Sequence, residues 1–495
     1  MIASMFVPAL RIRNINSAPV RPDGAFVLYW MTAARRTHWN FALDRAVEVA
    51  KELGRPLVVL EALRCGHRWA SDRTHRFVLD GMVDNERACE VAGTAYFPYV
   101  EPADGAGKGL LAALAGHACS VVTDDFPCFF LPRMVASAGR QLAVRLEAVD
   151  SNGLLPLRAT GRVFDRAVDF RRFLQRELPR HLRDRPRTHP LTTSLPRLEE
   201  LPAEVLRRWP RAEAELLGGR APLSSLPIDH AVAPVPFEGG EKAAALTLAR
   251  FVKDRLPLYA ERRNEPGLEA TSGLSPFLHF GHVSAHQVLD LLARAERWST
   301  DREFPKPSGK REGWWGMSPA AEAFVDQLVT WRELGLNYAS LRDDTADYAS
   351  LPAWARATLD AHRNDPRSHR YSFDQLERAA THDEIWNAAQ RQLRLEGRIH
   401  SYLRMLWAKN VLQWSASPEE AAATLVALND RWAVDGRDPN SYSGIFWTFG
   451  RYDRPWPERP VLGTVRAMTS GSTRRKLDVG PYLARFSGQA ALPLA

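Results

Sequence analysis

Between Gly24 and Pro190, short apolar β-rich runs alternate with amphipathic helical stretches, and from Glu241 onward strand signals almost vanish. This change of pattern restricts the fold more than any single motif does, because hydrophobic period is the primary signal of secondary structure. AFVLYW reads as a buried strand, NFALDRAVEVAKELG as an amphipathic helix ending at Gly54, PLVVLEAL as the next strand and SVVTDDF as a later one. Apolar runs separated by helices predict a parallel, doubly wound α/β sheet of Rossmann-like kind. Ligands of such sheets bind beyond the carboxyl ends of the strands, so the segment after Val122 is a candidate site; an ordinary strand-to-loop transition accounts for it equally well.

A chain of 495 residues is too long for one core, so two domains are expected. The pattern places an α/β domain over 1–185, a Pro-rich linker over 186–240 and a helical domain over 241–495. The linker contains HPLTTSLPRLEELP and APLSSLPIDHAVAPVPFEGG, whose prolines preclude long helices. DGAGKGL at Asp104–Leu110 lacks the GxxxxGK[ST] spacing of a phosphate loop and reads as a turn. No internal repeat is visible.

Composition is ordinary for a globular protein, with 15 Trp as the outlier. The net charge of +8 fits a polyanionic partner, although surface chemistry alone also explains it. The four cysteines form no CxxC pair and no His stands at zinc-finger spacing, so neither a disulfide framework nor a metal site is expected. The N-terminus MIASMFVPALRIRN has no continuous apolar core with a cleavage site, and no later stretch is long enough to span a bilayer. The expected compartment is the cytoplasm, without membrane attachment, and a monomer is expected.

Three stretches of the second half carry chemistry. In ATSGLSPFLHFGHVSAHQVLDLL, Ser275 stands where an N-cap belongs and Pro276 at the first helical position. Hydroxyls of Thr271, Ser272 and Ser275 beside a helix start suit a phosphate, although a capped helix needs no ligand. In ALNDRWAVDGRDPNSYSGIFW, Asn429, Asp430, Asp435, Asp438 and Asn440 crowd a loop between helices. They suit the polar edge of a heteroaromatic ring, or simply an Asx-rich turn. GRIHSYLRMLWAKNVLQW, Gly397–Trp414, reads as one helix with Trp407 and Trp414 seven residues apart, and Trp386 stands in the preceding helical stretch THDEIWNAAQRQL. Two turns put those two rings roughly 10 Å apart along the axis. On spacing alone, indoles that simply pack a core explain the pattern.

Taken in order, LSPFLHFG, WREL, THDEIWNAAQ, LRMLWAK, LND, DGRDPN and the ending RRKLDV, with DGAFVLYW and VVTDDFP before them, resemble the class II cyclobutane pyrimidine dimer photolyases of the photolyase/cryptochrome family. The resemblance runs from about Arg11 to Phe486, and THDEIWNAAQ with DGRDPN is its class II mark. It implies an α/β antenna domain, a long linker and a helical domain that holds FAD. It implies light-driven repair of UV-damaged double-stranded DNA, in which reduced FAD passes an electron to a flipped-out pyrimidine dimer.

The resemblance also implies roles for particular residues. Tyr259 and the run Thr271, Ser272, Gly273, Leu274 and Ser275 would contact the cofactor's phosphates. Asn429 matches the position facing flavin N5, and Arg404 with Asp435 a salt bridge near the flavin. Glu333 matches the acid that bonds the pyrimidine edge. Met405 and Trp447 match residues packing on the dimer, with Arg263 and Asn264 beside them. Trp386, Trp407 and Trp414 match the class II chain that feeds electrons to oxidised flavin. Two departures stand out: Trp331 precedes Arg332 where a basic residue is expected, and GIFWTFGRYDRPW is looser than the usual pattern. No motif identifies an antenna chromophore, which an 8-hydroxy-5-deazaflavin or a folate would supply. The alternative within the family is a cryptochrome-like photoreceptor without repair.

Overall fold

A computed structural model describes residues 7–487. The start of the N-terminal stretch, MIASMF, and the last eight residues of the expected helical domain lie outside the described residues. The chain forms two compact units interleaved in sequence: Met1–Gly161, Glu177–Ala249 and Gly273–Arg302 make the first, and Arg162–Arg176, Arg250–Ser272 and Glu303–Ala495 the second.

The first unit is built on a six-stranded sheet: β1 (Ile12–Asn14), β2 (Phe26–Met31), β3 (Leu57–Leu63), β4 (Ala95–Val100), β5 (Ala118–Asp124) and β6 (Leu146–Val149). Their order is β1-β6-β5-β2-β3-β4, parallel throughout except for β1, which pairs antiparallel with β6 at one edge. Alternate residues of β2 and β3 feed separate cores. Phe26, Leu28 and Trp30 pack with Val58, Leu60 and Phe97. Val27, Tyr29 and Met31 pack with Val59 and with helix α1 (Phe41–Leu53). A sheet buried on both faces is the doubly wound arrangement, and each buried aliphatic or aromatic side chain contributes about 1.5–3 kcal/mol. Asn40 caps α1 by accepting from the backbone N–H of Ala42 and Leu43, and Gly54 ends it with a left-handed φ of 63° that a Cβ would strain. At the end of β5, the Asp124 carboxylate accepts from the backbone N–H of Thr32, Ala33 and Ala34 and from the Tyr29 hydroxyl, which ties β5 to the loop after β2. The Pro-rich stretch is packed rather than loose, with Val205 and Trp209 buried in one of the sheet's cores.

Among the described residues every strand lies in the first unit; the second is helical. Its central helices are α2 (Arg332–Leu341), α3 (Glu384–Glu396), α4 (Ser401–Trp414), α5 (Pro418–Trp432) and α6 (Pro439–Trp447). Each of α3, α4 and α5 packs on the next, and α6 packs on α2. The last two backbones approach closely: a Cβ at Gly335 would stand 2.9 Å from Ser443 Oγ and 3.0 Å from the Pro439 carbonyl oxygen. The stretch expected as one helix from Gly397 begins at Ser401 instead. Gly397 is the left-handed C-cap of α3, so the four residues before Ser401 form the turn that folds α4 back on α3. No described helix is long and apolar enough to cross a membrane, and no group of three or more His, Cys, Asp or Glu among the described residues is placed to hold a metal ion.

Candidate functional site

The three indoles singled out above come together in the second unit. Trp386 and Trp407 are fully buried and nearly parallel, with ring centroids 6.3 Å apart at 8°. Trp414, 7% exposed, meets Trp386 at 5.6 Å and 64°. The order in space is therefore Trp407, Trp386, Trp414, with the ring from α3 standing between the two from α4. Buried indole N–H groups need partners. Trp386 Nε1 donates to the Trp407 carbonyl at 2.9 Å, and Trp407 Nε1 donates to Gln390 Oε1 at 3.0 Å, so both ring planes are fixed. Next to Trp414 stand the half-buried Tyr371 at 5.2 Å and the exposed His382 at 5.4 Å. Sequence reading did not single out Gln390, Tyr371 or His382, because their relation to the indoles is tertiary.

Asn429 lies in the last turn of α5, not in the loop that the Asx-rich sequence suggested, and is 2% exposed. Its Nδ2 donates to Asp430 Oδ1 at 3.1 Å, and its carbonyl oxygen accepts from the Ser441 hydroxyl at 3.0 Å. A carboxylate only accepts, so Asp430 determines which end of the amide is nitrogen, and one amide hydrogen is left over. Asp430 also accepts from the Arg437 backbone N–H and the Tyr442 hydroxyl. Burial pushes its carboxyl above the usual range, against the pull of Arg437. Arg437 has a left-handed φ of 61° and spends its guanidinium on the carbonyl oxygens of Asp430 and Val434. Burial lowers its pKa. Asp438 is an ordinary N-cap for α6, accepting from the Asn440 backbone N–H, as the turn reading expects. Arg404 and Asp435 pair at 3.0 Å, with side chains 18% and 10% exposed.

Glu333 sits in the first turn of α2 and is 3% exposed. A π-helical turn, Asp326–Trp331, runs directly into α2 and places the half-buried Trp331 ahead of the buried Arg332. Arg171 holds the start of that turn through a bidentate bond to Asp326 at 2.8 and 3.2 Å. Met405 is half-buried on α4, and Trp447 is the half-buried last residue of α6, with the Arg466 guanidinium 5.3 Å above its ring. Tyr259 is buried against Phe251 and Phe324, and burial raises its pKa against the opposing effect of Arg263, whose guanidinium lies 5.5 Å over the ring. Asn264 is exposed in the turn after Arg263.

The helix-start reading of Thr271–Ser275 needs correction. Ser275 is the first helical residue, Leu274 occupies the cap position with helical φ and ψ, and no side chain caps the helix. The helix, Ser275–His279, has five residues, so its dipole is weak, and Gly273 enters it at φ 71°. Thr271 and Ser272 close one stretch of the second unit, and Gly273, Leu274 and Ser275 open a stretch of the first. What remains of the expectation is a set of hydroxyls and backbone donors.

No protein-family model matches the chain. It is 33% identical over 488 residues to a deoxyribodipyrimidine photo-lyase of Methanothermobacter thermautotrophicus, covering 97% of this chain and 99% of that one. Proteins of the same name from Oryza sativa subsp. japonica (97% and 91% covered) and Potorous tridactylus (94% and 81%) are each 31% identical. Among solved structures, a bacterial class III photolyase from Agrobacterium tumefaciens matches with a TM-score of 0.66 at 20% identity, covering 94% of this chain and 86% of that one. A Synechocystis cryptochrome matches with 0.63 at 15%, covering 93% and 88%. The chain belongs to the photolyase/cryptochrome family of FAD-binding proteins. It is a lyase of light-dependent DNA repair.

The donor set of the second unit fits a flavin. Asn429 is buried, oriented at both ends of its amide and keeps a hydrogen to donate. Arg404 supplies a fixed cation, and Asp435 keeps that cation from being buried unpaired.

Proposed function

We propose that the chain splits cyclobutane pyrimidine dimers in DNA by the class II route, with FAD held in the second unit by Tyr259, Thr271, Ser272, Arg404, Asn429 and Asp435. Reduced FAD, if held there, would supply light-driven one-electron chemistry in which an electron passed to the dimer is returned once the two cyclobutane bonds have opened, with no net redox change. Arg404 favours an anionic ring system beside it, and the Asn429 amide, held by Asp430 and Ser441, presents a donor that has no need to reorganise. Glu333 bonds the polar edge of a pyrimidine turned out of the duplex. Met405 and Trp447 pack against its faces, with Arg263 and Asn264 at the margin. A damaged, poorly stacked dimer costs less to extrude than a normal pair.

The observation that carries the class II reading is the continuous array Trp407–Trp386–Trp414, from a fully buried ring to one 7% exposed. Rings in contact at 6.3 and 5.6 Å, with locked N–H groups, suit the passage of an electron inward from the solvent side. Trp407→Phe tests it. The substitution keeps an aromatic ring and costs about 1–3 kcal/mol of stability. Light-driven reduction of the oxidised flavin should be lost, whereas dimer repair by chemically pre-reduced protein should stay near wild type. Normal photoreduction in the same preparation returns the three indoles to simple packing.

A further inference from the structure

We infer that Lys409 is a positioning residue for lesion recognition, whose ammonium group fixes the end of α6 that carries Trp447. The inference rests on the reading of Met405 and Trp447 as residues that pack on the dimer. Lys409 is fully buried, and its ammonium donates to the backbone carbonyl of Thr448, the residue after Trp447 and the C-cap of α6. Met405 lies four residues earlier on α4, so both side chains leave the same face of that helix. One face of α4 thus carries a lesion-packing residue and a tether to the other.

The tether is an unusual way to fill a core. Methionine or leucine would occupy the space without the cost of desolvating a charge. What a cation gains here is the negative end of a helix and a charge-assisted hydrogen bond, about twice as strong as a neutral one. The charged groups facing Lys409 are Asp453, which favours its protonation, and Arg466, which opposes it. These two are themselves paired at 2.9 and 3.2 Å, and Arg466 lies over both Trp447 and Trp456. Lys409 therefore belongs to a charged cluster built around the Trp447 ring.

Burial pulls the Lys409 pKa down to about 7. Two consequences of opposite sign follow. The folded state holds this proton less tightly than the unfolded chain, so the charge costs stability below pH 7, and the cost fades as pH rises from about 7 toward 10.5. The grip on Thr448 is strongest when the ammonium is charged and weakens as pH rises through about 7, where the folded protein loses this proton.

The test compares FAD-loaded wild type with Lys409→Met, measuring affinity for dimer-containing and undamaged duplexes and thermal stability at pH values below and above 7. Below pH 7 the variant should bind the dimer duplex roughly tenfold more weakly, with undamaged DNA unaffected. As pH rises, the affinity gap should narrow, while the melting-temperature difference moves in favour of wild type. Equal loss on both duplexes, or an affinity gap that tracks stability, would mean that Lys409 merely supports the fold. Dimer affinity unchanged by the substitution also overturns the inference. If Lys409→Met does not fold, the wild-type profile decides: dimer affinity must fall through this range while undamaged affinity does not, and a flat profile overturns the proposal. A wild type with no preference for dimer DNA at any pH would instead overturn the lesion reading on which it rests.

Discussion

Glu333 is buried in the first turn of α2. Its proposed use is a hydrogen bond to a pyrimidine edge, so Glu333→Gln, which keeps the shape and removes the charge, should slow repair at unchanged flavin content. Unchanged repair rates measured on reduced protein would exclude an essential role for the carboxylate. Trp447 is half-buried and backed by Arg466, which suits a stacking surface better than a core filler. Trp447→Ala should weaken binding to dimer DNA by roughly 1–3 kcal/mol. Affinity for undamaged duplex, set by phosphate contacts, should hardly change, and a titration showing equal loss on both would assign Trp447 to the fold. The roles proposed for both residues come from the motifs in which they stand. Arg437 was hidden inside DGRDPN: its left-handed φ and its carbonyl partners exist only once the loop has closed on α5.

At the scale of elements, the strands β2, β3 and β5 were legible from their apolar runs, because a strand buried on both faces has few polar residues. β4 was hidden by Pro98, which a strand tolerates at the edge of a sheet, and the order puts β4 at an edge. β1 and β6, three and four residues long, are too short to show a period. Ser275 resembled an N-cap because Pro follows it, yet proline suits either of the first two helical positions, and here it takes the second. The π-helical turn before α2 was not legible, since no residue type or spacing marks the switch to i→i+5 bonding over so few residues. The indoles show the limit of spacing arguments. Seven residues correctly put Trp407 and Trp414 on one face, but only the pairing of α3 with α4 inserts Trp386 between them.

For the whole molecule, a pattern that changes from alternating to helical predicted an α/β part and a helical part, and both are present. Their compact units are interleaved along the chain, with 162–176 in the second unit and 273–302 in the first. Local periodicity carries no information about such exchanges. The charge of +8 and the near full-length likeness to photo-lyases agree with a polyanionic substrate worked on under light. The most direct measurement takes FAD-loaded, chemically reduced protein, mixes it with UV-irradiated DNA, and counts cyclobutane pyrimidine dimers after blue light and after the same time in the dark. The expected result is loss of dimers in the light and none in the dark; dimers that persist in the light, with the flavin reduced and the DNA bound, would contradict repair by this chain.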